Sequence, residues 1–303
     1  MYSTVLDIAR YGSLNGIVEF PLSPVHYLEL PDRTDPKRAH VSTLMYELSR
    51  CLTMIGPNQY LLLAEVEQTL KQFVGKPEAP AEVEVFGYGY EHTQGVDLLH
   101  GFLCSEDEWR RRGRPEASRP RSDREAFELI QRSFLDGTLG FETTNYTKSA
   151  FERHSQGFAQ SEAAMSERLQ KLVGRHRWPD GLLLREFQDL IPVLIPALAH
   201  AGLSLDGFVD EGPEFVRAFI EAVPTVAACL KLRQLQHANP QRAWESNDNA
   251  DVHALAMAAV YCDVVVAEGH WAHMMRRGGL DARHGTVVLD SISDLAVQLV
   301  GTK

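Results

Sequence analysis

The run Asn247-Asp248-Asn249-Ala250-Asp251-Val252-His253-Ala254-Leu255-Ala256-Met257-Ala258-Ala259-Val260-Tyr261-Cys262-Asp263-Val264-Val265-Val266-Ala267-Glu268 decides how the chain reads. Its polar opening offers Asn247, Asp248 or Asn249 as a helix cap. Val252, Leu255, Ala256, Ala259 and Val260 then recur on one side of the helix so started. Residues 262–267 are almost wholly apolar, which suits a short strand buried on both faces. Further on, Trp271 to Arg277 reads as helix closed by Gly278-Gly279, and Thr286 to Leu289 as strand. Asp290 and Ser291 cap a last helix, Asp294 to Val300. Helix, strand, helix, strand, helix predicts an α/β fold with an open parallel sheet flanked by helices.

Upstream, Ile17-Val18-Glu19-Phe20 is a β-prone run between Gly16 and Pro21. Ser23-Pro24 opens a helix through His26 and Glu29 that breaks at Pro31. Apolar residues at helical spacing predict helices over 37–55 and 59–73. Glu82 to Phe86 alternates with period two before Gly87 and Gly89, the pattern of a strand entering a loop. The middle of the chain predicts helices over 122–135, 150–173, 182–201, 214–222 and 225–237, with Pro192 and Pro196 kinking the third. The expected organisation is a core formed by residues 1–97 and 223–303, with a large helical insertion at 98–222.

Apolar residues make up 44% of the 303 and charged ones 23%, the balance of a globular protein rather than a disordered one. No apolar run is long enough for a membrane span, and no secretory pattern is visible at Met1. Cys51, Cys104, Cys229 and Cys262 form no Cys-x-x-Cys pair, which points to a reducing, cytoplasmic setting. The net charge of −11 does not advertise a nucleic-acid binder. Residues 109–124 are the local exception, with seven arginines against Glu116 and Asp123. They read as a solvated loop or as a phosphate-contacting arm.

In an open parallel sheet, sites form beyond the carboxyl ends of the strands. Glu268 follows the 262–267 strand, and Asp248 and Asp251 open the helix leading into it. Three acids at one sheet edge suit a hard divalent ion, which takes carboxylate oxygens and keeps several waters. Capping accounts for one of the two aspartates and leaves the other over. His270 and His273 share a helical face, as metal ligands or as ordinary surface and core residues. His26 stands one turn before Glu29 as a substrate-side or packing residue. Tyr88 and Tyr90 alternate with glycines, to stack on bases or to pack on the core. No Gly-x-Ser-x-Gly elbow or phosphate loop is present.

Residues 223–271, above all 247–256 and 259–268, resemble the C-terminal half of PIN-like domains. The run Ile17 to Leu30 is similar to that family's second strand and following helix. The resemblance implies a Mg²⁺- or Mn²⁺-dependent nuclease, a hydrolase with RNA, ahead of DNA, as its substrate. It implies Glu29, Asp251 and Glu268 as metal ligands and Asp248 as an assisting acid. Two features of the sequence depart from the family's pattern. The family opens with a strand ending in aspartate, whereas Val5-Leu6-Asp7 reads as helix, so the resemblance implies an N-terminally truncated domain. The family's turn is threonine, any residue, acid; here it is Ala267-Glu268-Gly269. The alternative expectation is a catalytically degenerate relative that binds a protein partner, or a second copy of itself, without cutting.

Overall fold

The computed structural model describes residues 2–30, 35–56, 59–74, 83–94, 105–111, 113, 119–137, 148–171, 178–239 and 242–301. Its first elements are α1 (Tyr2–Leu14), α2 (Pro24–Leu28), α3 (Pro36–Ser49), β1 (Leu52–Met54), α4 (Gln59–Val74), β2 (Phe86–Tyr88) and α5 (Gly89–Gln94). The middle carries α6 (Glu106–Arg111), α7 (Asp123–Asp136), α8 (Lys148–Lys171), α9 (Trp178–His200), α10 (Leu205–Asp210) and α11 (Pro213–Ala222). The last part runs α12 (Pro224–His237), α13 (Asp248–Tyr261), β3 (Val264–Val266), α14 (Gly269–Arg277), α15 (Leu280–His284), β4 (Val287–Leu289) and α16 (Ile292–Gly301). Two compact units divide the chain: Met1–Asn58 with Glu84–Phe151 and Ala296–Lys303, and Gln59–Val83 with Glu152–Leu295.

In the first unit, α7 begins where the Ser122 hydroxyl accepts the Glu125 N–H at 3.2 Å, and ends at Gly137 with φ 78°. Between these caps, Ala126, Ile130 and Phe134 form one buried face, packed with Tyr27, Tyr90 and Trp109. Tyr90 stacks on Phe134 at 3.7 Å and meets Tyr27 edge-on at 4.9 Å. β1 pairs antiparallel with β2, and Leu22 adds a single parallel bridge to Thr53. The glycines beside the tyrosines have a packing cause. A Cβ on Gly87 would lie 2.5 Å from the His92 ring, and one on Gly89, at φ 84°, 2.7 Å from Phe127. Tyr90 is therefore a core residue, whereas Tyr88 is 61% exposed.

The second unit is organised around α12. Val226 and Leu230 face one core with Val66, Leu70, Leu194 and Phe219. Ala228, Cys229 and Leu232 face another, with Val252, Ala256, Val265 and Trp271. A helix apolar on both sides, with alanines at its contacts, belongs inside a helical layer. The Glu65 carboxylate on α4 accepts the Thr225 backbone N–H at 3.0 Å, satisfying a donor at the start of α12. The Tyr261 and Thr225 hydroxyls also donate to Glu65.

The expected open parallel sheet of PIN type does not form. Among the described residues the strands are three residues long and lie in two separate two-stranded sheets. β3 and β4 do pair in parallel, Val264 with Val287 through Val266 with Leu289. Residues 17–20 join no ladder; of the strand expected at 82–86, residue 82 lies outside the described residues, and the described strand runs Phe86–Tyr88. A sheet covered by helices on both faces needs long strands buried on both. Here Val266 and Val287 are exposed, and the apolar surfaces of α12 and α13 meet each other. The fold is helical, with a short parallel pair at the C-terminal end of the second unit. No described helix is long and apolar enough to cross a membrane.

Candidate functional site

Asp248 and Asp251 lie in the first turn of α13, and Glu268 directly precedes α14, just past the end of β3. Both helices pack against α12, which brings their amino ends together. Asp248 is fully buried. Its Oδ1 accepts Arg242 Nη2–H at 2.7 Å, and its Oδ2 accepts the Glu245 N–H at 2.8 Å. The second bond reaches back three residues, as the acid of a capping box does, so Asp248 shapes the turn into α13. Asp251 Oδ2 accepts the Trp271 indole N–H at 3.0 Å. Trp271 stands one turn beyond Glu268, and the Arg242 guanidinium lies 5.2 Å from its ring centroid.

Asp251 is the acid whose titration these neighbours move. Burial raises the Asp251 carboxyl above its ordinary value, the Trp271 N–H draws it back, and the charges of Asp248 and Glu268 push it up again. Glu268 is exposed. His270 packs edge-on against Trp271 at 5.3 Å, and its Nε2–H donates to Gln236 Oε1 at 3.0 Å. Burial and Arg242 lower its pKa, with Asp248 and Glu268 opposing. His273 is exposed. Neither histidine joins a metal set: among the described residues, no three His, Cys, Asp or Glu side chains are grouped to hold a metal ion.

Glu29 belongs to the first unit, where it is an exposed residue closing α2, its N–H donating to the Val25 carbonyl at 2.9 Å. Asp248, Asp251 and Glu268 belong to the second. The acids of the second unit are thus brought together, and Glu29 is in the other body. His26 Nδ1 accepts the Ser23 N–H at 2.9 Å, a local role at the start of α2. Asp7 is inside α1. In the arginine-rich segment, residues 112 and 114–118 lie outside the described residues, as does Cys104; Arg110 and Arg111 end α6, with Arg110 paired to Glu106.

Sequence reading missed a second charged group, buried between α8, α9 and α12. Arg233 donates to Glu162 at 2.7 Å and to Glu186, and His237 joins Glu162 at 2.8 Å and the Ser166 hydroxyl at 2.8 Å. The signal was there in the spacing: Glu162 and Ser166, like Arg233 and His237, stand four apart on one helical face. It was not decisive, because such pairs are common on solvated helices. Arg242, Gln236 and Trp271 were missed for want of any motif.

No protein-family model, curated protein or solved structure matches the chain.

Proposed function

We propose that this chain is a Mg²⁺- or Mn²⁺-dependent nuclease acting on RNA, with Asp251 and Glu268 as the carboxylates that hold the ion. One observation carries the reading: the Trp271 indole N–H ties Asp251 to the amino end of the helix that Glu268 precedes, beside buried Asp248 and at the carboxyl end of a parallel strand pair. Crowded carboxylates store repulsion that a divalent cation relieves. With Asp248 engaged on both oxygens, the donors left are Asp251 Oδ1 and the Glu268 carboxylate. Two carboxylates completed by water are an ordinary set for Mg²⁺. The ion would supply Lewis-acid stabilisation of charge on a phosphodiester. Trp271 fixes the Asp251 carboxylate by its N–H and excludes water behind it, while Asp248 holds Arg242 in place.

Calorimetric titration with Mn²⁺, on wild type and on Asp251→Asn, tests this together with cleavage of a single-stranded RNA. Saturable binding and Mn²⁺-dependent cleavage, both lost in the variant, are expected. A folded wild type that takes up no Mn²⁺ overturns the proposal. A second reading, a protein-binding or regulatory module without catalysis, is favoured by Asp248, whose two oxygens are both engaged internally. That outcome leaves the second reading standing.

A further inference from the structure

The cluster around Arg233 is open at one end. Ser166 Oγ lies 2.8 Å from His237 Nδ1, and His237 Nε2 lies 2.8 Å from the Glu162 carboxylate, which Arg233 binds at 2.7 Å. Burial works to raise the Glu162 carboxyl, but His237 and Arg233 outweigh it and keep it ionised. An ionised carboxylate only accepts, so Nε2 carries the proton. In the neutral imidazole Nδ1 is then the lone-pair edge, and the Ser166 O–H donates to it. Hydroxyl, imidazole and carboxylate in that order are the parts of an activated nucleophile, with the ring reversed from the serine-protease arrangement. Glu162 and His237 are fully shielded, whereas Ser166 is half-buried, with exposed Ala163 and Gln170 on either side of it along α8. Half-buried Trp244 meets the His237 ring at 5.0 Å and Phe158, two turns before Ser166, edge-on at 5.7 Å.

We infer that Ser166 is a nucleophile with His237 as its general base, and that it accepts the acyl group of small aryl esters. Its Oγ bonds to the carbonyl carbon as its proton passes to His237 Nδ1. The ester C–O bond breaks, and the departing phenol takes that proton, leaving an acyl-serine. Glu162 stabilises the imidazolium formed in between and is a positioning residue, held in turn by Arg233. Ser166 stands inside α8, where its own N–H is spent on the helix, and not on a strand-to-helix elbow with oxyanion donors. The expected chemistry is therefore one acylation of Ser166 and not rapid turnover. An aryl ester suits the site on two counts: a phenol leaves readily, and its ring matches the aromatic surface of Trp244 and Phe158. None of this depends on the acids around Asp251.

The probe is p-nitrophenyl acetate, given to the full chain in mildly alkaline buffer and followed by peptide mapping of acetylated serines. Ser122 and Ser204, exposed hydroxyls that accept backbone N–H groups at helix starts, are the internal controls. Ser166 is expected to acetylate about a hundredfold faster than either, the scale of a positioned general base. Mapping on the wild type decides the assignment without any variant. Ser166 left unmodified in the folded wild type, or modified no faster than the controls, overturns it. In the folded His237→Gln variant the Ser166 rate is expected to fall to that of Ser122, and an unchanged rate overturns His237 as the base. Glu162→Gln is expected to slow Ser166 about tenfold with the control rates unmoved, a ratio that a purely structural role of Glu162 would leave alone.

Discussion

Two charged clusters in the second unit use similar residues to opposite ends. Around Arg233, the polar groups are bonded to one another and enclosed: Glu162 and His237 are fully shielded, and the arginine side chain is 6% exposed. Around Asp251, three acids face one arginine, and Glu268 is exposed. Burial works to raise Glu162, but His237 and Arg233 outweigh it and hold the carboxyl below its ordinary value. Glu186, with Arg233 as its donor, is pushed up by burial. Asp251 is pushed up as well, by burial and by its acidic neighbours. A cluster whose charges are internally answered ties helices together. One left with excess charge of a single sign has affinity to offer a counter-ion.

The comparison breaks most decisively at Arg233. Arg233→Met strands Glu162 and Glu186 without their cation and is expected to cost about 3–5 kcal/mol in urea unfolding. A loss below about 1 kcal/mol would show that the cluster does not tie α8, α9 and α12.

Acid titration sharpens the contrast at an intermediate size of effect. Because the folded state holds Glu162 low, its stabilisation is present above the ordinary glutamate value, about 4.3, and is lost as pH falls through the lowered one. Glu162→Gln should flatten that limb of a melting-temperature profile. An unchanged acid limb would place its origin elsewhere.

The smallest effect belongs to Asp251, and its sign is reversed. With the folded carboxyl raised, its stabilising share is full below the ordinary aspartate value, about 3.9, and declines as pH rises through the raised one. Asp251→Asn should leave stability within about 0.5 kcal/mol at neutral pH and remove this decline. A large loss in the variant would make Asp251 a structural residue like Arg233 and erase the distinction.

How much of this was legible can be judged from particular residues. Helix spacing located α4, α7, α9 and α13, and Pro224 marked the start of α12, whose two apolar sides give no single periodic face. The two valine-rich segments forming β3 and β4 were equally legible. The sheet was not, since strand pairing depends on what covers each face, and α12 and α13 cover each other. Of the candidate site, Asp248, Asp251 and Glu268 could be placed near one another from chain order alone. That Asp248 answers an arginine could not, because Arg242 precedes α13 and carries no motif.

By itself, then, the sequence determined that most of these segments are helical and that acids follow β3, since periodicity acts within a few residues. It did not place the end of α3, because left-handed Arg50 and Cys51 turn the chain into β1 inside the helix expected over 37–55. Tertiary structure alone decided that the fold is helical rather than an open sheet, and which charges are answered. Both turn on contacts between segments distant in the chain, such as Glu162 with Arg233 and Asp251 with Trp271. Their energies depend on burial, which no local pattern carries.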